Sequence, residues 1–221
     1  MAHFAADETS FFKLKDRVVV LTGAATGIGA AAARILAQNG AKVVIGDLNT
    51  DAAQQLSKDY DGVSYTKCDV TQYDDIYSLF KKAHDEHGHI DHAVSSAGIF
   101  EVGNWYDPNL TIDTVKDDGG NTRTIDVNLM GTLRFARIAS VFLRTGRQEG
   151  QDRSLTLLSS VNAWRESPGL FLYQVRPPRP ELCHSADQYR LANTRCKACF
   201  DLLARSCTNV MAFVSTLSAQ E

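Results

Sequence analysis

The stretch Thr22 to Gly29, TGAATGIG, constrains this chain more than any other short segment in it. Before it lies an apolar, β-branched run, Arg17 to Leu21 (RVVVL), and after it comes Ala30 to Asn39 (AAAARILAQN). The run reads as a buried strand and the alanine-rich segment as a helix that Gly40 stops. Gly23, Gly27 and Gly29 therefore occupy a strand-to-helix turn. Glycine is required there when backbone N–H groups must lie against a ligand, because a Cβ stands in the way. The following helix aims its unpaired donors and partial positive charge at the same place, which suits a pyrophosphate. The spacing is G-x-x-x-G-x-G and not G-x-G-x-x-G. A glycine triplet alone says little, and a purely structural turn is the competing reading. Its position between two well-marked elements favours a phosphate cradle.

The alternation continues. Lys42 to Gly46 reads as a second strand, and Asn49 or Thr50 caps a helix running to about Asp59. Val63 to Cys68 is a third strand. Thr71 to Glu86 is amphipathic, with Ile76, Leu79, Phe80 and Ala83 on one face, and Asp91 to Ser95 is a fourth strand. A loop and a long helix from about Thr124 to Arg144 follow, then a fifth strand at Leu155 to Ser159. Strands of this kind separated by helices predict a doubly wound parallel α/β sheet of the Rossmann type, covered by helices on both faces.

Asp47 ends the second strand, 18 residues after Gly29. A carboxylate there accepts hydrogen bonds from the adenosine ribose hydroxyls and repels a 2′-phosphate. Ala24 and Ala25 offer no basic side chain to attract one. The expected cofactor is therefore NAD, with NADP disfavoured; a loop or capping aspartate is the bland alternative. In Cys68-Asp69-Val70 the aspartate has two readings, a contact to the adenine edge or a cap for the next helix.

Composition excludes some partners. The net charge is −3, which gives no electrostatic case for nucleic acid or an anionic membrane. No apolar stretch is long enough to span a bilayer. Met1 to Ser10 carry Asp7 and Glu8 and no apolar run, so no secretory leader is expected and a cytoplasmic location is.

Together these residues resemble the classical short-chain dehydrogenase/reductase family, over roughly Lys15 to Gln174. The resemblance rests on TGAATGIG, Asp47, Cys68-Asp69-Val70, Ser95-Ser96-Ala97-Gly98, Asp126-Val127-Asn128 and the pair Ser160 and Tyr173, 13 residues apart. It implies hydride transfer between a nicotinamide and a small secondary alcohol or ketone. By that resemblance Tyr173 is the general acid/base, Ser160 holds the substrate oxygen and Asn128 supports a relay water. Gly23, Gly27, Ile28, Gly29, Asp47, Asp69, Val70, Ala97 and Gly98 line the cofactor. A loop serine, a core tyrosine and a helix-kinking asparagine are the plain alternatives for the three catalytic candidates. The resemblance also implies pairing of copies through the two longest helices, one of which is interrupted here; a homo-oligomer stays an open expectation.

Two departures stand out. The family's N-N-A-G is Ser95-Ser96-Ala97-Gly98 here, and the lysine of its Y-x-x-x-K is replaced by Pro177. A free tyrosine has a pKa of about 10, and a neighbouring ammonium lowers it. Pro177 and Pro178 remove that charge and forbid the helix that would present another. The chain accordingly divides into a nucleotide-binding domain, 1–174, and an atypical tail, 175–221, in which the remaining strands and helices of the family are not legible. Suitable synonymous codons for Met211 to Glu221, taken from the third base of Met211, spell G-I-R-V-N-A-I-C-P-G, the motif the tail lacks. This suggests translated intron from 175 to about 195, followed by a shifted frame. The tail holds Cys183, His184, Cys196 and Cys199, whose spacing matches zinc sites poorly, so no metal is expected.

Overall fold

Val18–Thr22 form β1, and all five residues are buried because the strand is covered on both faces. The computed structural model describes residues 14–100, 107–116, 120, 122–146, 148 and 151–158. In chain order β1 is followed by α1 (Gly27–Gln38), β2 (Lys42–Asp47), α2 (Thr50–Asp59), β3 (Val63–Lys67), α3 (Tyr73–His87) and β4 (His92–Ser95). Next come one turn of helix, α4 (Arg123–Ile125), a π-helical stretch at Asp126–Gly131, α5 (Thr132–Arg144) and β5 (Ser154–Leu157). The strands lie in the order β3-β2-β1-β4-β5, and every neighbouring pair is parallel. The chain thus winds outward from β1 through β3, then returns to the other side of β1 as β4. A switch of direction between β1 and β4 opens a crevice at their carboxyl ends, the usual ligand position in such sheets.

Strand periodicity sorts the core into two layers. Val19, Leu21, Val43, Ile45 and Val94 face one side and pack with Ala32, Ala33 and Leu36 of α1 and with Ala53 and Leu56 of α2. On the opposite side Val18, Val20, Val44, Ala93 and Leu155 meet Ile76, Leu79 and Phe80 of α3 and Phe135, Ile138 and Leu143 of α5. Asn49 caps α2, its side-chain oxygen accepting from the Ala52 N–H at 3.1 Å. The doubly wound sheet expected from the alternation is present. One expectation needs correction. The helix over 124–144 is not uniform: its first two turns widen into the π-helical stretch before α5 begins. Among the described residues no helix is long and apolar enough to cross a membrane.

At the amino-terminal edge of the sheet, His92 ties β4 to β5 through a 2.9 Å hydrogen bond between Nδ1 and the Ser154 hydroxyl. Desolvation lowers its pKa to about 4; Asp91 and Asp152 oppose the shift, and Arg17 and Arg153 add to it. In the unfolded chain an imidazole titrates near 6.5. The unfolded state therefore binds the extra proton between those values, and stability falls with pH in that window. We expect a loss of about 2 kcal/mol between pH 7 and pH 5 that a His92→Gln variant does not show, measured by urea denaturation at both values. Equal pH slopes for the two proteins would refute this.

Candidate functional site

The turn after β1 is built as the glycines require. Gly23 has φ +67, and a Cβ on it would lie 2.5 Å from the Ala97 Cα and 2.8 Å from the Ser96 carbonyl carbon. The loop after β4 can approach β1 only because Gly23 has no side chain. At Gly29 a Cβ would fall 2.1 Å from the Gly23 carbonyl oxygen, so α1 starts directly over the strand exit. Gly27 differs. It too has a positive φ, +57, yet a Cβ there would meet no protein atom within 4 Å. Thr26, the N-cap of α1, makes no side-chain capping bond, and no acidic residue lies in the first turn. The first turn thus presents N–H donors and partial positive charge to open space over Gly27, while Ile28 packs inward against the core. This geometry fits a dinucleotide pyrophosphate.

Asp47 stands at the end of β2 beside the turn. Its Oδ2 accepts from the Ala25 N–H and its Oδ1 from the Asn49 N–H, each at 2.9 Å. The carboxylate is therefore held in place against the turn. In this position its oxygens can also receive hydroxyl donors from a bound ligand.

Next to β2 lies the loop after β3. Asp69 does not cap α3; Gln72 occupies that position. Instead the Asp69 Oδ1 accepts from the Thr71 N–H at 2.9 Å and from the Thr71 hydroxyl at 2.7 Å. The Asp69 N–H donates to the Asp75 carboxylate at 2.9 Å. Val70 is buried and packs into the core beneath α5. Burial, and then the carboxylates of Asp75, Asp69 and Asp47, push the Cys68 thiol up to about 12. Cys68 is consequently a packing residue and not a nucleophile.

On the far side of β1, the loop after β4 is gripped by the π-helical stretch. Asn128 accepts from the Ile99 N–H through Oδ1 and donates to the Ile99 carbonyl through Nδ2, both at 2.9 Å. Gly98 passes close below, where a Cβ would come to 3.3 Å of the Asn128 Oδ1. So Gly23, Gly27, Ile28, Gly29, Asp47, Asp69, Val70, Ala97, Gly98 and Asn128 gather along the carboxyl edge of β1 to β4. Ser160 and Tyr173 lie outside the described residues, as do Pro177 and the cysteines and histidine of the tail. Among the described residues no group of three metal-ligating side chains comes together.

Sequence reasoning missed Gly131 and Arg134. A Cβ at Gly131 would lie 2.9 Å from the Val70 Cγ2, and Arg134 Nη1 donates to the Thr71 carbonyl at 2.7 Å. A glycine within a helical pattern was the one available signal.

Comparison with known proteins agrees with this arrangement. A family model described as enoyl-(acyl carrier protein) reductase matches residues 23–176. The short-chain dehydrogenase/reductase ascJ of Acremonium egyptiacum is 37% identical over 153 residues, 67% of this chain and 49% of its own. A mitochondrial borneol dehydrogenase of Lavandula x intermedia is 35% identical over 151 residues, 68% of this chain and 53% of its own. A crystal structure of a short-chain dehydrogenase/reductase (glucose/ribitol dehydrogenase) from Brucella melitensis superposes with a TM-score of 0.59 at 27% identity, covering 72% of this chain and 62% of that one. The chain spans about half the length of the curated relatives it matches.

Proposed function

The chain belongs to the short-chain dehydrogenase/reductase family, and from that premise we propose that it is an NAD-dependent oxidoreductase for a small secondary alcohol or ketone, with turnover impaired by Pro177. The observation that carries the cofactor half is the open, uncapped start of α1 over Gly27, with the Asp47 carboxylate held beside it. When bound, the nicotinamide supplies or accepts the hydride. The chain's own residues bind and orient: the α1 donors take the pyrophosphate, Asp47 takes the adenosine ribose, and Asn128 holds the loop after β4 through Ile99. Ser160 is proposed to hold the substrate oxygen and Tyr173 to move its proton. With Pro177 in place of a lysine, the phenol lacks the ammonium that would make it an efficient base near neutrality. The same residue favours a second reading, a protein that binds NAD without turning it over.

Calorimetry of the full chain with NADH and NADPH, paired with a turnover assay on secondary alcohols, separates these. NADH binding with turnover lowered by orders of magnitude supports the first reading; binding with none supports the second. Robust turnover overturns the impairment, and a wild-type chain without NADH affinity overturns both. Asp47→Ser is expected to weaken NADH binding by on the order of tenfold, the loss of a charge-assisted ribose hydrogen bond, and to narrow the discrimination against NADPH. Unchanged affinities for both cofactors would remove Asp47 from the site.

A further inference from the structure

Two loops flank the groove, and one short helical segment touches both. The pyrophosphate position over α1 and the ribose position at Asp47 direct the adenosine half of a dinucleotide toward β3, and the nicotinamide half toward β4. On the adenosine side, Thr71 directs its N–H and its hydroxyl to Asp69, while its carbonyl receives Arg134 at 2.7 Å. Asp69 and Asp75 thus set the internal shape of the loop, and the Cys68 N–H ties its start to the Asp47 carbonyl at 3.0 Å. How the loop seats against the helix layer depends on Arg134 and on the close approach of Gly131 to Val70. On the nicotinamide side, Asn128 holds both backbone groups of Ile99. The π-helical stretch turns the segment so that these contacts coexist. There the Thr132 N–H bonds to the Leu129 carbonyl, and the Thr132 hydroxyl donates to the Asn128 carbonyl at 2.8 Å in its stead.

Resting on the cofactor reading above, we propose that residues 128–134 form a brace between the two loops and that Arg134 is its positioning residue. A guanidinium donating to a main-chain carbonyl 63 residues away is a strong, charge-assisted link between separate elements. Through it the loop bearing Asp69 and Val70 is set at the distance from the turn that an adenosine requires. Arg134 acts through Thr71 and touches neither cofactor nor substrate.

The test uses the full chain with Arg134→Met, which keeps length and loses the donors, and Arg134→Lys, which keeps a charged donor. Two quantities are read: calorimetric affinity for ADP-ribose, and hydrogen exchange of the Ile99 amide in the cofactor-free protein. Arg134→Met is expected to bind ADP-ribose about tenfold more weakly and to exchange Ile99 about tenfold faster, with Arg134→Lys recovering most of both. Wild-type values of both in Arg134→Met overturn the proposal, even where its urea midpoint has moved, since a merely structural role shifts only the midpoint. Should the wild type itself not bind ADP-ribose, the cofactor reading fails. Ile99 exchange then decides the brace alone, faster exchange upholding it and unchanged exchange ending it. If Arg134→Met loses the native circular-dichroism spectrum, Arg134→Gln replaces it under the same readouts.

Discussion

Gly29→Ala is expected to destabilise the protein by about 3 kcal/mol or more, enough to abolish folding in a marginally stable domain. The new methyl would sit 2.1 Å from the Gly23 carbonyl oxygen, 2.9 Å from its carbon and 3.0 Å from the Ala24 Cα. All three are main-chain atoms, so no side chain can swing aside. Relief requires α1 to lift away from the exit of β1. That movement unseats Ala32, Ala33 and Leu36 from Val19 and Leu21 across the first core layer. Gly27→Ala is the matched control. It meets no protein atom, and its cost is the left-handed backbone alone, about 1 kcal/mol. Its methyl nevertheless enters the space over the α1 donors. The pair should therefore separate: Gly29→Ala loses the fold, whereas Gly27→Ala keeps a cooperative urea transition and loses at least tenfold in NADH affinity. A Gly29→Ala protein with a wild-type denaturation midpoint would falsify the close approach on which the site is built.

Asp91→Ala should cost about 3 kcal/mol, by removing a buried carboxylate that accepts a charge-assisted bond from the partly exposed Arg17. Asp91 is only 2% exposed at the amino-terminal edge of the sheet, far from the groove. Its Oδ2 accepts from the Val18 N–H at 2.9 Å and its Oδ1 from Arg17 at 3.1 Å, and His89 Nε2 lies 3.2 Å from Oδ2. The carboxylate thus pins the start of β1 to the start of β4, and the main chain of Asp91 continues the pin to β5 through the Ser154 N–H. Alanine leaves the Val18 N–H without an acceptor inside the sheet, a further desolvation penalty. Urea denaturation at pH 7 measures the loss, and Asp91→Asn, which keeps an acceptor, should recover part of it. A loss below about 1 kcal/mol would mean the carboxylate is replaceable by water there.

The elements that local chemistry specifies were legible in the sequence. β1, the glycine turn and α1 follow from a β-branched run, three glycines and an alanine-rich helix that are contiguous in the chain. α2 is legible because Asn49 and Thr50 both signal a cap, and the structure gives that role to Asn49. The place of Asp47 could be read because it ends a strand, and the structure sets it beside the turn. Asp69 was ambiguous for the opposite reason. Capping and ligand contact both call for a carboxylate before a helix, and only the geometry shows its oxygen turned back to Thr71. The sequence predicts one regular helix over 124–144, since apolar periodicity in α5 says nothing about a widened turn at its start.

From the residues alone came the order of elements, the place of the glycine turn and the carboxylate at the end of β2, because each depends on a pattern within about one helical turn or strand; that the carboxylate bonds the turn, 22 residues away, is decided by the pairing of β1 with β2. Tertiary structure alone decided the burial of Asp91, the seat of Gly131 on Val70 and the reach of Arg134 to Thr71. Those contacts join residues 61 to 74 positions apart. No periodic pattern in a short window encodes such pairs; they exist only once the parallel sheet has aligned its strands, bringing Asp91 to β1 at the amino-terminal edge and the loop after β3 to the helix layer at the carboxyl edge.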